Sequence, residues 1–275
     1  MKFLSGKSTV GHLKTGIRIS LILLLGSTGV QAADVHVAVA ANFTKPMETI
    51  AAGFEKASGN KVIASFGSSG KLLEQIKNGA PFEVFLSADQ KRPQAVEAAD
   101  LAVPDSRFTY AIGSLVLWSA QEGVVDDKGE VLKSGQFQHI AIANPETAPY
   151  GKAALETMSG LGVLEALQPK IVQGDSIAQT HAFVSSGNAE LGFVALSQVI
   201  NDGEISEGSS WVVPLDMYEP IRQDAVLLKT GENNAAAKAL LAYLQSDAAR
   251  AVIAAFGYAV SVPGTLAETT SLNAE

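Results

Sequence analysis

Four short turns of small and polar residues stand out in the 275-residue chain: Ala40-Ala41-Asn42-Phe43-Thr44, Gly67-Ser68-Ser69-Gly70, Thr147-Ala148-Pro149-Tyr150-Gly151 and Gly174-Asp175-Ser176-Ile177. Each falls between the end of a strand-like apolar run and the start of a helix-like one. The first N–H groups of a helix have no intrahelical acceptor, and the macrodipole puts partial positive charge at the same end. Converged on one point, such ends bind an anion without any charged side chain. Taken singly, each turn reads as an ordinary N-cap in which Ser, Thr, Asn or Asp satisfies its own helix. Their recurrence is what points to a site, and α/β folds place ligands beyond the carboxyl ends of their strands.

Catalytic chemistry finds less support. Beyond residue 32 the histidines are His36, His139 and His181, and none stands among Asp, Glu or Cys at metal-ligand spacing. Gly67-Ser68-Ser69-Gly70 falls short of the Gly-x-Ser-x-Gly elbow. An exported serine hydrolase using Ser68 or Ser69 is therefore the remote alternative, and it requires a histidine in hydrogen-bond reach. The Gly-x-Gly-x-x-Gly and phosphate-loop lysine motifs are missing, which argues against a nucleotide cofactor.

The elements that would position the turns are legible from pattern. Val35 to Val39 reads as a strand, and Met47, Ile50, Ala51 and Phe54 share one face of a helix that Gly59 ends. Lys61 to Phe66 and Val84 to Leu86 read as strands, with a helix through Leu72 to Ile76 between them. Further strands are expected at Leu115 to Trp118, Ile140 to Ala143, Gly192 to Leu196 and Ala225 to Leu228, and helices at Lys152 to Met158 and Ala178 to Ser185. Gln121 to Gly135 reads as a polar surface excursion, and Asn233 to Phe256 as a closing pair of helices. This alternation predicts an α/β fold with mostly parallel sheets. No internal repeat appears, and no long Pro/Gly/Ser linker separates two domains, so two lobes would have to share strands.

Composition bounds the compartment and the partners. Lys2, Lys7, Lys14 and Arg18 precede the apolar run Ile19 to Leu25, and Val30-Gln31-Ala32 has signal-peptidase spacing. The reading is a signal peptide over residues 1–32, cleaved after Ala32, and a mature protein in a Gram-negative periplasm or at the outer face of a membrane. The apolar run is well short of the roughly 20 residues that span a bilayer. Cleavage removes four basic and no acidic residues and moves the formal charge from −8 to −12. Such acidity disfavours nucleic acid and anionic membrane as partners. The chain has no cysteine, so stability must come from its core, which the 243 remaining residues are long enough to supply.

At these turns the sequence resembles the periplasmic molybdate-binding proteins of ABC transporters, the ModA family, over about Asp34 to Val260. The motifs are Val39-Ala40-Ala41-Asn42-Phe43-Thr44, Ser65-Phe66-Gly67-Ser68-Ser69-Gly70, Gly79-Ala80-Pro81 with Phe85-Leu86-Ser87-Ala88-Asp89, Asn144-Pro145-Glu146 with Pro149-Tyr150-Gly151, and Leu191-Gly192-Phe193-Val194. The resemblance implies a two-lobed type II periplasmic-binding fold with ligand in the cleft. Lobe one would be residues 33–113 plus 222–260, lobe two residues 114–221, and residues 261–275 a tail. It implies no cofactor, molybdate or tungstate as ligand, permease subunits as partners, and a protein that works as a single chain. Sulfate or another tetrahedral oxyanion is the alternative ligand, since sulfate matches molybdate in charge and shape.

Carried over by position, Asn42 falls on the first ligand contact and Ser69 on the second. Tyr150 and Ile177 fall on the third and fourth, each through its backbone N–H. All four would touch oxyanion oxygens and not the metal itself. One group of family members adds a tyrosine hydroxyl where this sequence has Ala195, and Asn42 and Ser68 are the candidates to replace that donor. Lys71 reads as a solvated helix residue with at most a steering role. Asp175, beside the fourth turn, keeps protonated phosphate within range.

Overall fold

The described residues form ten strands in two five-stranded sheets, the inner ones built from branched residues buried on both faces. The computed structural model describes residues 1–6, 33–201 and 203–260. The chain divides into Met1–Gln31 and Ala32–Glu275. Residues 1–6 carry no regular secondary structure, and both sheets belong to the second unit. The signal-peptide assignment, apart from those six residues, and the tail at 261–275 lie outside the described residues.

The first sheet uses β1 (Asp34–Ala40), β2 (Lys61–Gly67), β3 (Val84–Leu86) and β4 (Phe108–Gly113). The second uses β5 (Leu115–Ser119), β6 (Ile140–Ala143), β7 (Ile171–Gly174), β8 (Leu191–Ala195) and β9 (Ser209–Val212), after which β10 (Ile221–Leu227) returns to the first. The strand orders are β2-β1-β3-β10-β4 and β7-β6-β8-β5-β9. β1 pairs in parallel with β2 and β3, and β10 runs antiparallel to both β3 and β4. The second sheet repeats the scheme, with β6 parallel to β7 and β8 while β5 opposes β8 and β9. The expected mostly parallel sheets thus each carry one reversed inner strand. In both it is the strand by which the chain arrives from the other sheet. Each sheet with its helices forms one lobe, and the two lobes share a topology that leaves no repeat in the sequence.

Local chemistry explains the long elements. In the helix Thr44–Ser58 the buried residues Met47, Ile50 and Phe54 recur at three to four and seat it on the first sheet. Gly59 follows at φ 75° and donates its N–H to Glu55 O, a left-handed C-cap that glycine adopts without Cβ strain. The helices Ala235–Leu244 and Asp247–Ala255 close the same face through Leu240, Leu244 and Ile253.

Several elements differ from expectation. Pattern reading missed β4, β7 and β9 and the helix Lys91–Ala98. β7 and β9 are four residues long and only partly buried, so neither presents an apolar run. Leu196 begins the short helix Leu196–Val199 and does not end β8. β10 starts at Ile221, four residues before its apolar run, because Gln223 and Asp224 are polar and yet fully buried. The excursion Gln121 to Gly135 is not wholly superficial. Val125 and Leu132 plug into the second core, and Asp126 accepts the N–H groups of Lys128, Glu130 and Val131.

Candidate anion-binding site

All four turns lead into helices: Ala41–Phe43 continuing into Thr44–Ser58, then Ser69–Lys77, Pro149–Gly160 and Ile177–Ser185. The first two belong to the lobe of the first sheet and the last two to the other. They meet around a small cavity between the lobes, to which Asn42, Ser68, Ser69, Tyr150 and Ile177 all contribute. No carboxylate, amine or guanidinium lines it. The site residues expected from the sequence are therefore brought together.

The donors can be accounted for atom by atom. Ser69 and Ile177 are the first residues of their helices, and Tyr150 follows Pro149 at the start of its own. Helix-start N–H groups have no intrahelical acceptor, and among the described residues those of Ser69, Tyr150, Ile177 and Asn42 have no other partner. Ser69 Oγ accepts the Ala88 N–H at 2.9 Å, which leaves its own proton uncommitted. Ser68 Oγ is buried and has no hydrogen-bond partner at all among the described residues. A buried hydroxyl without a partner is costly, and this one lies against the cavity.

Residues 35–259 match the family model described as bacterial extracellular solute-binding protein. The molybdate-binding protein ModA of Azotobacter vinelandii is 57% identical over 242 residues, covering 86% of this chain and 96% of the relative. The chain belongs to the ModA family. The ModA protein of Rhodobacter capsulatus is 53% identical over 240 residues, 87% of this chain and 94% of that one. The solved Azotobacter vinelandii periplasmic molybdate-binding protein superposes with a TM-score of 0.81 at 44% identity, covering 83% of this chain and all of the other.

Against this ModA framework the individual side chains sort clearly. The Asn42 carboxamide is engaged within the protein: Nδ2 donates to Gln223 Oε1 at 2.8 Å and to Tyr258 Oη at 2.9 Å, so both its protons are committed. What Asn42 offers a ligand is its backbone N–H. Ala195 is fully buried, its N–H held by Gln198 Oε1 at 2.9 Å. Of the two candidates for the missing donor, Ser68 is the one with a free hydroxyl. Lys71 and Asp175 pair with each other across the lobes at 2.8 Å, both largely exposed. Other ties between the lobes include Gly70 N–H to Thr147 O at 2.8 Å, Arg92 Nη2 to Glu146 O at 2.6 Å and Lys45 Nζ to Gln198 O at 3.1 Å.

Sequence reading missed the polar network behind the cavity. Gln223 accepts from Asn42 and from Tyr110 Oη (3.1 Å), and its Nε2 donates to Tyr150 Oη (3.2 Å). Tyr258 Oη donates to Ser197 Oγ at 2.9 Å, and Ser197 Oγ donates to Asn42 O at 2.8 Å. Burial raises the phenol pKa of Tyr110 and Tyr150 well above the ordinary value and pushes that of Tyr258 up to about 12. These phenols stay neutral at any physiological pH. His36, His139 and His181 lie elsewhere. His181 stacks on Trp118 with ring centroids 5.2 Å apart, and burial, reinforced by Lys45, lowers its pKa. Among the described residues no histidine is bonded to Ser68 or Ser69, and the nucleophile arrangement a hydrolase needs is not formed.

Proposed function

We propose that the protein captures molybdate or tungstate in the periplasm and presents it to the permease of an ABC transporter. The observation that carries this reading is a cavity furnished with hydrogen-bond donors from both lobes and with no ionised group. A fully ionised tetrahedral dianion offers only acceptors. The N–H groups of Asn42, Ser69, Tyr150 and Ile177 and the hydroxyls of Ser68 and Ser69 match that demand, and a hydrogen bond to a charged acceptor contributes about 1.5–3 kcal/mol. Protonated phosphate also needs an acceptor. Asp175, the nearby carboxylate, is engaged by Lys71, which disfavours phosphate.

Residues 33–113 with 222–260 serve as one jaw and 114–221 as the other, closing over the anion by a hinge motion. The protein makes and breaks no covalent bond. The basic, apolar and small-residue regions within residues 1–32 support export, and the named function of the 57%-identical relative supports the choice of ligand. Calorimetric titration of residues 33–275 against molybdate, tungstate, sulfate and phosphate tests the reading. Tight binding of the first two is expected, and binding of sulfate or phosphate alone would sink it.

A further inference from the structure

β10 carries a fully buried amide at the point where its ladder is broken: pairing with β4 runs to Gln223 and resumes out of register at Asp224. Such bulges re-aim side chains. The Gln223 carboxamide spans the junction between the lobes, with its oxygen on the Asn42 side chain of the first lobe (2.8 Å) and its nitrogen on the Tyr150 phenol of the second (3.2 Å). Asn42 and Tyr150 also line the cavity from opposite lobes, each with an uncommitted backbone N–H. The other crossing strand is fitted to the same contact. A Cβ on Gly113, the last residue of β4, would overlap the Tyr150 phenol oxygen and lie 2.7 Å from Gln223 Nε2.

We propose that Gln223 is a positioning residue that sets the closed alignment of the two half-cradles by holding Asn42 and Tyr150 with one carboxamide. This deepens, and rests on, the reading of the cavity as an oxyanion site. A primary amide suits the task because it accepts at one end and donates at the other. Its oxygen takes the Asn42 proton while its nitrogen serves the phenol across the junction. The remaining Asn42 proton enters a closed circuit, Asn42 Nδ2 to Tyr258 Oη to Ser197 Oγ to Asn42 O, which fastens the same turn to a second residue of the opposite lobe. Separating the jaws breaks the Gln223–Tyr150 and Ser197–Asn42 bonds together. Both are dry, and the exposed Lys71–Asp175 pair is a weaker fastening.

Two readouts test this on the mature protein. The chain has no cysteine, so Lys77→Cys and Ser159→Cys, on exposed positions of opposite lobes, accept spin labels cleanly. Gln223→Met keeps the length of the side chain and removes its hydrogen bonds. Tyr150→Phe removes only the phenol and leaves the backbone donor. Each variant should shift the ligand-free label distances toward longer values and speed molybdate release about tenfold, the equivalent of one buried hydrogen bond. The double variant should release no more than about twofold faster than Gln223→Met alone, because Gln223→Met already removes the bond across the junction that Tyr150→Phe deletes. Unchanged distances and release rates, even with a lowered Tm, would overturn the proposal and leave Gln223 as a merely structural amide. If the unaltered protein binds no molybdate, the oxyanion reading falls, and the ligand-free distances still decide whether Gln223 aligns the jaws.

Discussion

Ser68 and Ser69 are neighbours with opposite hydrogen-bond accounts. Ser69 Oγ already serves the Ala88 N–H, whereas Ser68 Oγ serves nothing. Ser68→Ala removes an unsatisfied buried hydroxyl, so the Tm of the ligand-free protein should hold or rise while the Kd for molybdate weakens about tenfold or more. Ser69→Ala orphans a buried N–H as well as removing a donor. It should cost about 1–3 kcal/mol of stability and weaken binding roughly ten- to hundredfold. Thermal unfolding and calorimetry on the same samples separate the two patterns. Alkali offers a further probe. The folded pKa of Tyr258, at about 12, and those of Tyr110 and Tyr150 lie above the unfolded phenol value near 10. The native state therefore holds these protons more tightly. The associated stability is complete below pH 10 and is lost as pH rises through the folded values. Affinity should stay level from about pH 6 to 9, and stability should fall steeply above 10. A transition in affinity near neutrality would implicate a histidine and contradict a donor set with no titrating member.

Among the elements, two glycines set how closely the cradle assembles. A Cβ on Gly151 would overlap the carbonyl oxygen of Ala143, where the helix Pro149–Gly160 presses on the end of β6. One on Gly70 would stand 2.9 Å from Thr147 Cα, where the two lobes meet. Gly151→Ala should overpack one lobe and lower Tm, at about 1–3 kcal/mol. Gly70→Ala should instead wedge the lobes, weakening binding at least tenfold with little effect on ligand-free Tm. Comparable Tm losses in the two variants would show that Gly70 packs within a lobe. Elements of this kind were legible in the sequence where one face carries the signal, as in β1, β2 and the Met47-Ile50-Phe54 helix. The four turns were legible too, because backbone donors at helix starts need only the strand-to-helix switch to be seen. Gln223 was not, since its meaning lies in Asn42, 181 residues away, and its polarity hid the first half of β10. The Lys71–Asp175 pair is hidden for the same reason, since its two members stand far apart in the sequence.

The whole molecule carries net negative charge, −8 over the full sequence and −12 without residues 1–32, yet it is proposed to receive a dianion. Screening should therefore raise the association rate modestly as salt increases, measurable by stopped-flow mixing with molybdate. A steep fall would reveal a local positive field absent from the cavity lining. The strand order also governs assembly in time. In the row β2-β1-β3-β10-β4 the fourth place is filled by the strand synthesised last. Until Leu227 has been made, β3 and β4 have no common neighbour, and the lobe begun first cannot be finished. β5 to β9 run without interruption through the middle of the chain and can pair as soon as they emerge. The nascent chain should consequently mature from its centre outward. A chain stopped at Met217 should show a protease-resistant core from β5 to β9 beside a first lobe that is readily digested. For a polypeptide proposed to thread a membrane before it folds, a lobe that waits for its final strand would be a built-in delay.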